Sequence, residues 1–120
     1  MLKATPWWPG PDIWDGAVLF LESSEEAPQP TQVKRWIRNY GAQGVLQRLS
    51  ALLLARPASM DADGQAAQEQ AILQALDEYD LATLPVIGNL DFGHTDPITT
   101  LPYGAEARLD CATGEIVIRP

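Results

Sequence analysis

One polar segment of the sequence contains most of the side chains that could move protons. Residues 89–97, NLDFGHTDP, directly follow a short apolar run and include His94, the only histidine of the chain. Gly93 permits a backbone conformation closed to other residues immediately before His94, and Pro97 stiffens the exit from the turn. An imidazole held on such a constrained turn is suited to act as a general base.

A second candidate is Glu22, an acid at the end of the fully apolar run 17–21. Its carboxylate could accept a hydrogen bond from one nitrogen of His94 and stabilise the imidazolium when the other nitrogen takes a proton. A glutamate at a strand end is also commonly a solvated terminator, and His94 could merely cap its turn by hydrogen bonding to Asp91 or Asp96. The residues alone leave both interpretations open.

Other motifs give weaker signals. The tripeptide 91–93, Asp-Phe-Gly, matches the magnesium-binding tripeptide of kinases, but the chain has no Gly-rich phosphate loop and no H-R-D segment. A single histidine without HExxH or EF-hand spacing does not predict a metal site, so we expect no metal and no cofactor. Cys111 is the only cysteine and has no histidine beside it in sequence. We interpret it as structural and expect a reducing compartment.

Composition limits the partners and the location of the protein. The 120 residues include 8 Lys and Arg against 16 Asp and Glu, a formal net charge of -8. An acidic surface repels phosphodiester backbones, so we expect no nucleic-acid partner. No segment approaches the roughly 18 apolar residues of a membrane span, and the N-terminus lacks the apolar core of a signal peptide. We therefore expect one folded domain, no membrane contact and a cytoplasmic location.

Hydrophobic periodicity predicts the elements that must position Glu22 and His94. Three continuous apolar runs predict buried strands at 17–21, 51–55 and 84–88. Amphipathic spacing predicts a helix that begins at a Thr31 cap and ends at Gly41, and another from an Asp63 cap to about Tyr79. A short helical stretch at 45–49 lies between them.

The hydrophobic pattern differs at the two ends of the chain from that of the central part. After residue 98 the apolar period becomes two, which predicts a β-hairpin from strands 105–110 and 115–118. The order β-α-α-β-α-β followed by a hairpin predicts an α/β fold with a partly antiparallel sheet, in one domain without internal repeats. Residues 1–16 hold Trp7, Trp8 and Trp14, which predict an irregular segment packed on an apolar surface.

Five segments in consistent order carry a resemblance to a known family. They are WDGAVLFLE at 14–22, VKRWIR at 33–38, GAQG at 41–44, NLDFGHTDP at 89–97 and LPYG at 101–104. Together they resemble the C-terminal half of the LD-carboxypeptidases of peptidase family S66, over about residues 7–118. The FGH turn followed by the Leu-Pro-x-Gly stretch is the most specific part of this similarity.

The resemblance implies a serine-type hydrolase with a Ser-Glu-His triad. Residues 1–120 would be its C-terminal domain, a layered swivelling-type β/β/α domain with a mixed sheet and a C-terminal β-hairpin. Glu22 and His94 fall on the catalytic acid and the catalytic base of the family. In the family the N-terminal domain, which supplies the serine and most of the oxyanion hole, precedes these elements, whereas here the only hydroxyl residue before Trp7 is Thr5. The serines at 23, 24, 50 and 59 lie at positions that do not match the nucleophile, so the nucleophile and its domain are expected to be absent. The isolated chain is then expected to be inactive.

The resemblance also limits the substrate to two classes. One is the L,D-amide of a muropeptide, cleaved to release D-alanine in cytoplasmic peptidoglycan recycling; the other is a peptidyl-nucleotide amide, cleaved by a branch similar to microcin C immunity proteins. The DFGHTDP spelling is nearer to the second branch, whereas Glu25 and Glu26 beside Glu22 offer no positive charge for a phosphate. The competing class is a non-catalytic binding module that docks through its Trp-rich segment. A homodimer is left open.

Overall fold

The computed structural model describes residues 5–119 of the chain. The helices and strands, in chain order, are β1 (Val18–Leu21), α1 (Pro30–Ala42), β2 (Ala51–Ala55), α2 (Ala62–Asp77), β3 (Val86–Leu90), β4 (Glu106–Asp110) and β5 (Glu115–Arg119). One 3-10 turn, Pro11–Trp14, precedes β1, and another, Leu46–Arg48, lies between α1 and β2. Neither α-helix in this part of the chain is long and apolar enough to cross a membrane.

The strands form two separate sheets. β1, β2 and β3 build a parallel sheet with β2 in the centre, and β4 pairs with β5 in an antiparallel hairpin. Every residue of β2 is buried, because a central strand covered on both faces exposes neither set of side chains. The predicted α/β fold is confirmed, and its parallel and antiparallel strands belong to different sheets.

Alternate residues of β2 point into two hydrophobic clusters, one on each face of the parallel sheet. Leu52 and Leu54 pack with residues of α1 and α2, whereas Leu53 and Ala55 pack with residues of the hairpin and with Phe92. The hairpin, the parallel sheet and the helices therefore form three layers, which confirms the layered β/β/α architecture.

The two helices are joined along their sides by polar contacts and one close approach. Arg38 donates two hydrogen bonds of 2.6 Å to Glu78, and Lys34 lies 3.1 Å from the same carboxylate. The hydrogen bonds from Arg38 and Lys34 lower the pKa of Glu78 to about 2. Gly41 is buried in α1 and faces the ring of Tyr79, whose hydroxyl donates to the carbonyl of Arg38 at 3.0 Å.

The predicted caps and stop signals of the helices differ from the structure at three positions. α1 begins at Pro30, which is pre-organised for a first helical turn, so Thr31 lies inside the helix and is not its cap. Gly41 does not end α1, since the helix continues to Ala42. The cap of α2 is Asp61, which accepts from the backbone N–H of Gly64 at 2.8 Å, whereas Asp63 lies in the first turn.

The three tryptophans near the N-terminus differ in their packing. Trp8 and Trp14 lie 5.7 Å apart between ring centroids, and both contact the ring of Tyr40 on α1. Trp7 is 74% exposed. The predicted packing on an apolar surface therefore holds for Trp8 and Trp14 but not for Trp7.

Candidate active site

Glu22 and His94 meet at the carboxyl edge of the parallel sheet. Glu22 is the first residue after β1, and His94 follows β3 by one short turn. Because the carboxyl ends of parallel strands lie at one edge of a sheet, the two loops emerge on the same side of the domain. The sheet thus brings together two residues that are far apart in the sequence.

The side chains of the pair are in hydrogen-bonding contact. His94 Nδ1 lies 3.1 Å from Glu22 Oε2, and the two side chains are 42% and 45% exposed. A carboxylate can only accept, so Nδ1 carries the proton and donates a hydrogen bond to Glu22. That tautomer leaves Nε2 unprotonated and able to accept a proton from another group.

Gly93 makes this contact sterically allowed. Its φ is +90°, a conformation that L side chains rarely adopt. A Cβ at this position would collide with the carboxylate oxygen Oε2 of Glu22 and approach Glu22 Cβ to 2.9 Å. The sequence prediction of a special backbone conformation at Gly93 is confirmed, and the close approach of Glu22 is a second reason for the glycine.

An arginine that the sequence analysis did not single out holds the His94 loop. Arg56, the residue after β2, lies 2.8 Å from an oxygen of Asp91 and donates to the carbonyl of Asp96 at 2.9 Å. Asp91 is therefore ion-paired with Arg56, and His94 is paired with Glu22. The only sequence signal was the position of Arg56 at the carboxyl end of a buried strand.

The pair borders a shallow open cavity of about 260 Å³. Its lining residues are Glu22, Ser23, Ser24, Glu26, Pro28, Gln32, Trp36 and His94. The lining includes two carboxylates and no Lys or Arg. The Ser23 hydroxyl donates to Gln68 Oε1 at 3.2 Å, and within residues 5–119 no hydroxyl group forms a hydrogen bond with His94. Across the same residues, no three His, Cys, Asp or Glu side chains are arranged to hold a metal ion.

The family model described as the LD-carboxypeptidase C-terminal domain matches residues 1–109 of the chain. The chain belongs to this family. A curated relative is the microcin C7 self-immunity protein MccF of Escherichia coli, 27% identical over 100 residues that make up 83% of this chain and 28% of MccF. The resemblance inferred from the five sequence segments is confirmed.

Solved structures of this peptidase family share the fold. MccF in complex with aspartyl sulfamoyl adenosine matches at a TM-score of 0.82 and 26% identity, over 99% of this chain and 34% of that one. An MccF-like protein from Streptococcus pneumoniae in complex with AMP gives 0.77 and 25%, over 98% and 33%. Muramoyltetrapeptide carboxypeptidase from Oxalobacter formigenes gives 0.70 and 29%, over 96% and 39%. The chain spans about a third of the length of these relatives.

Proposed function

We propose that the chain supplies the general base His94 and its orienting acid Glu22 to a serine hydrolase of the LD-carboxypeptidase family. The observation that supports this role is the 3.1 Å contact between His94 Nδ1 and Glu22 Oε2, which directs Nε2 away from the carboxylate. Both side chains are more than two-fifths exposed at the sheet edge, where a second domain carrying the serine could reach them.

In the proposed reaction His94 Nε2 removes the proton of the serine hydroxyl as its oxygen attacks the amide carbonyl. The imidazolium then protonates the leaving amine, and an acyl-enzyme remains. Water, deprotonated by the same nitrogen, hydrolyses this ester and regenerates the serine. Glu22 fixes the ring and stabilises its positive charge in both half-reactions.

The serine is proposed to come from an N-terminal domain of the same enzyme. This is supported by the length of the relatives, of which the chain covers about a third, and by the lack of a hydroxyl bonded to His94 among residues 5–119. The 120-residue chain alone is then inactive towards amides.

Two substrate classes stay in the proposal, because relatives of both kinds match the fold. One relative is a muramoyltetrapeptide carboxypeptidase, and another is bound to aspartyl sulfamoyl adenosine. The carboxylates of Glu22 and Glu26 on the cavity beside His94 provide no counter-charge for a phosphate, so any phosphate must be held by the serine-bearing domain. The cytoplasmic location and the part in peptidoglycan recycling stay predictions.

The test compares the chain alone with a longer protein in which a serine-bearing N-terminal domain of the family precedes it. We expect no turnover of a muropeptide tetrapeptide or a peptidyl-nucleotide by the chain alone, and turnover of one of them by the longer protein. In the longer protein, His94→Ala and Glu22→Gln should each lower kcat/KM by about 10²-fold to 10⁴-fold. Glu25→Gln, an exposed acid outside the cavity, is the matched control and should stay within about threefold.

Turnover by the chain alone would refute the proposed division of the triad. Near-normal rates for both His94→Ala and Glu22→Gln would remove the two residues from the mechanism. A longer protein that folds and still hydrolyses neither substrate would favour a non-catalytic interaction module. The exposed side chains of Trp7, Ile13 and Tyr103, at 74%, 67% and 89%, are the observation that supports this second candidate.

A further inference from the structure

Arg56 is the first residue after β2, and its backbone is held on both sides. Its neighbours Ala55 and Pro57 are buried. Its backbone N–H donates to the carbonyl of Leu90, the last residue of β3, at 2.9 Å. This hydrogen bond extends the pairing of β2 with β3 to the point where the chain leaves the sheet towards His94. The arginine side chain therefore starts from a fixed backbone next to the histidine turn.

One guanidinium nitrogen of Arg56 contacts both ends of the turn that carries His94. Arg56 Nη2 lies 2.8 Å from Asp91 Oδ1 and donates to the carbonyl oxygen of Asp96 at 2.9 Å. The charge of the guanidinium strengthens both contacts. Because His94 lies between the two aspartates in sequence, the arginine holds the turn closed around the imidazole.

Few other contacts restrain this turn. In the described part of the chain, residues 93–97 form no backbone-to-backbone hydrogen bond. The buried ring of Phe92 holds the amino side of the turn, and the N–H of Thr99 donates to the carbonyl of Asp91 at 2.6 Å, which closes a wider loop. The contact of the imidazole with Glu22 is exposed and contributes little free energy by itself, because water solvates both groups. The direction of the imidazole therefore depends on how firmly its turn is held.

We propose that Arg56 is a positioning residue that keeps His94 Nδ1 directed at Glu22 by fixing the histidine turn. The guanidinium does not line the cavity beside the pair, so it acts through the turn and does not touch a substrate there. Its consequence for catalysis rests on the proposed hydrolase function, whereas its effect on the imidazole is a property of the 120-residue chain alone.

The test on the chain alone uses two matched methionine variants. Arg56→Met keeps a long unbranched side chain and removes every hydrogen-bond donor. Arg48→Met makes the same change at an arginine that lies just before β2 and pairs with Asp15 at 2.6 Å. Each variant loses one exposed ion pair, so the two should have similar melting temperatures.

The tautomer of His94 is the readout that separates positioning from stability. His94 is the only histidine, so its ring ¹⁵N signals are assigned without ambiguity. At about pH 8.5, where imidazole side chains are normally neutral, the native chain and Arg48→Met should show the Nδ1–H tautomer. Arg56→Met should show a mixture of both tautomers, because its ring no longer stays directed at Glu22.

Activity is measured in the longer protein with a serine-bearing N-terminal domain. Arg56→Met should lower kcat by about tenfold to 10²-fold, because the base is misplaced. KM should change by less than about twofold, since no substrate contact is removed. Arg48→Met should leave both constants unchanged.

Retention of the Nδ1–H tautomer in Arg56→Met would overturn the proposal, and so would a native kcat of this variant in an active longer protein. If the longer protein is inactive with the native sequence, the hydrolase function fails, while the tautomer still decides the role of Arg56. If Arg56→Met does not fold, Asp91→Asn removes the carboxylate partner of the arginine and should also give mixed tautomers. An unchanged tautomer in Asp91→Asn would then count against the proposal.

Discussion

Gly93 connects backbone conformation to side-chain chemistry at the candidate site. The residue adopts a φ of +90° and leaves room for the carboxylate of Glu22, which would otherwise touch a Cβ. Gly104 has a similar φ of +72°, but a Cβ there would meet no atom within 4 Å. Comparing alanine substitutions at Gly93 and Gly104 therefore separates the free-energy cost of a side chain at positive φ from the cost of displacing Glu22.

Gly93→Ala should be more destabilising than Gly104→Ala, although both place a Cβ on a left-handed residue. Gly104→Ala should lower the free energy of unfolding by about 1 kcal/mol through backbone strain alone. Gly93→Ala should lower it by at least about 1 kcal/mol more, because Glu22 must also move. Urea denaturation measures both losses, and an NMR contact between the side chains of Glu22 and His94 should disappear only in Gly93→Ala. Equal losses with the contact retained would contradict the steric argument.

His94 and Glu22 were predictable from the sequence to different degrees. The turn around His94 could be inferred from Gly93, Pro97 and the density of polar residues, whereas nothing local distinguished Glu22 from an ordinary strand terminator. The Arg56–Asp91 ion pair and the hydrogen bond from Ser23 to Gln68 were not predictable, because each depends on which loop or helix lies next to which strand. The catalytic role of the pair stays a prediction until activity is measured.

At the scale of elements, the packing of α1 on the segment that follows α2 depends on the missing side chain of Gly41. A Cβ on Gly41 would lie 2.7 Å from Cδ2 of the Tyr79 ring and closer still to its neighbouring atoms. The sequence analysis interpreted Gly41 as a helix end, which is the usual meaning of a glycine after an amphipathic run. Here the glycine leaves room for a tertiary contact with the ring of Tyr79. The sequence around Gly41 contains no pattern that predicts this contact with a distant residue.

Gly41→Ala should reverse the usual effect of a glycine-to-alanine change in a helix. An exposed helical site would gain about 1 kcal/mol from the higher helix propensity of alanine. At Gly41 the added Cβ forces the ring of Tyr79 to shift. Such overpacking costs about 1–3 kcal/mol, so the net change should be destabilising. In a Tyr79→Ala background the same substitution should become stabilising. The measurement is urea unfolding of the four proteins of this double-mutant cycle, and stabilisation in both backgrounds would refute the packing argument.

The element boundaries show where sequence patterns were sufficient. β2 was predicted with its observed bounds because Ala51–Ala55 is a continuous apolar run with clear polar limits. β3 begins at Val86, two residues later than expected, because Leu84 and Pro85 precede the first ladder pair of the strand. The helix caps were less predictable. Thr31 and Asp63 are residue types that commonly cap helices, but each lies two residues after the observed N-cap, Gln29 of α1 and Asp61 of α2.

At the scale of the whole molecule, Phe92 joins the candidate site to the contact between the two sheets. Its side chain is 6% exposed and packs with Leu53 and Ala55 of β2, and its ring meets that of Phe20 edge-on at 5.8 Å between centroids. Leu109 and Ile116 of the hairpin pack against the same cluster. Phe92 lies two residues before His94, so the turn that carries the histidine is anchored in the core between the sheets.

Phe92→Ala should lower the free energy of unfolding by about 3–5 kcal/mol, the range for removing a buried phenyl ring. Ile98→Ala, a large-to-small change at a side chain that is 61% exposed, should cost less than about 0.5 kcal/mol. Thermal or urea unfolding of both variants gives the comparison. If the two losses were similar, Phe92 would not be the anchor that its burial indicates.

The position of the pair in the chain links formation of the Glu22–His94 contact to the completion of folding. Glu22 and His94 are 72 residues apart in sequence, with β2 and both helices between them. Their contact can form only after β1 and β3 have both added to β2, and closing so long a loop disfavours any earlier encounter. A partly folded or newly synthesised chain therefore carries a histidine without its acid. The Glu22–His94 pair, and with it the proposed role of His94 as a base, therefore depends on the integrity of the whole domain.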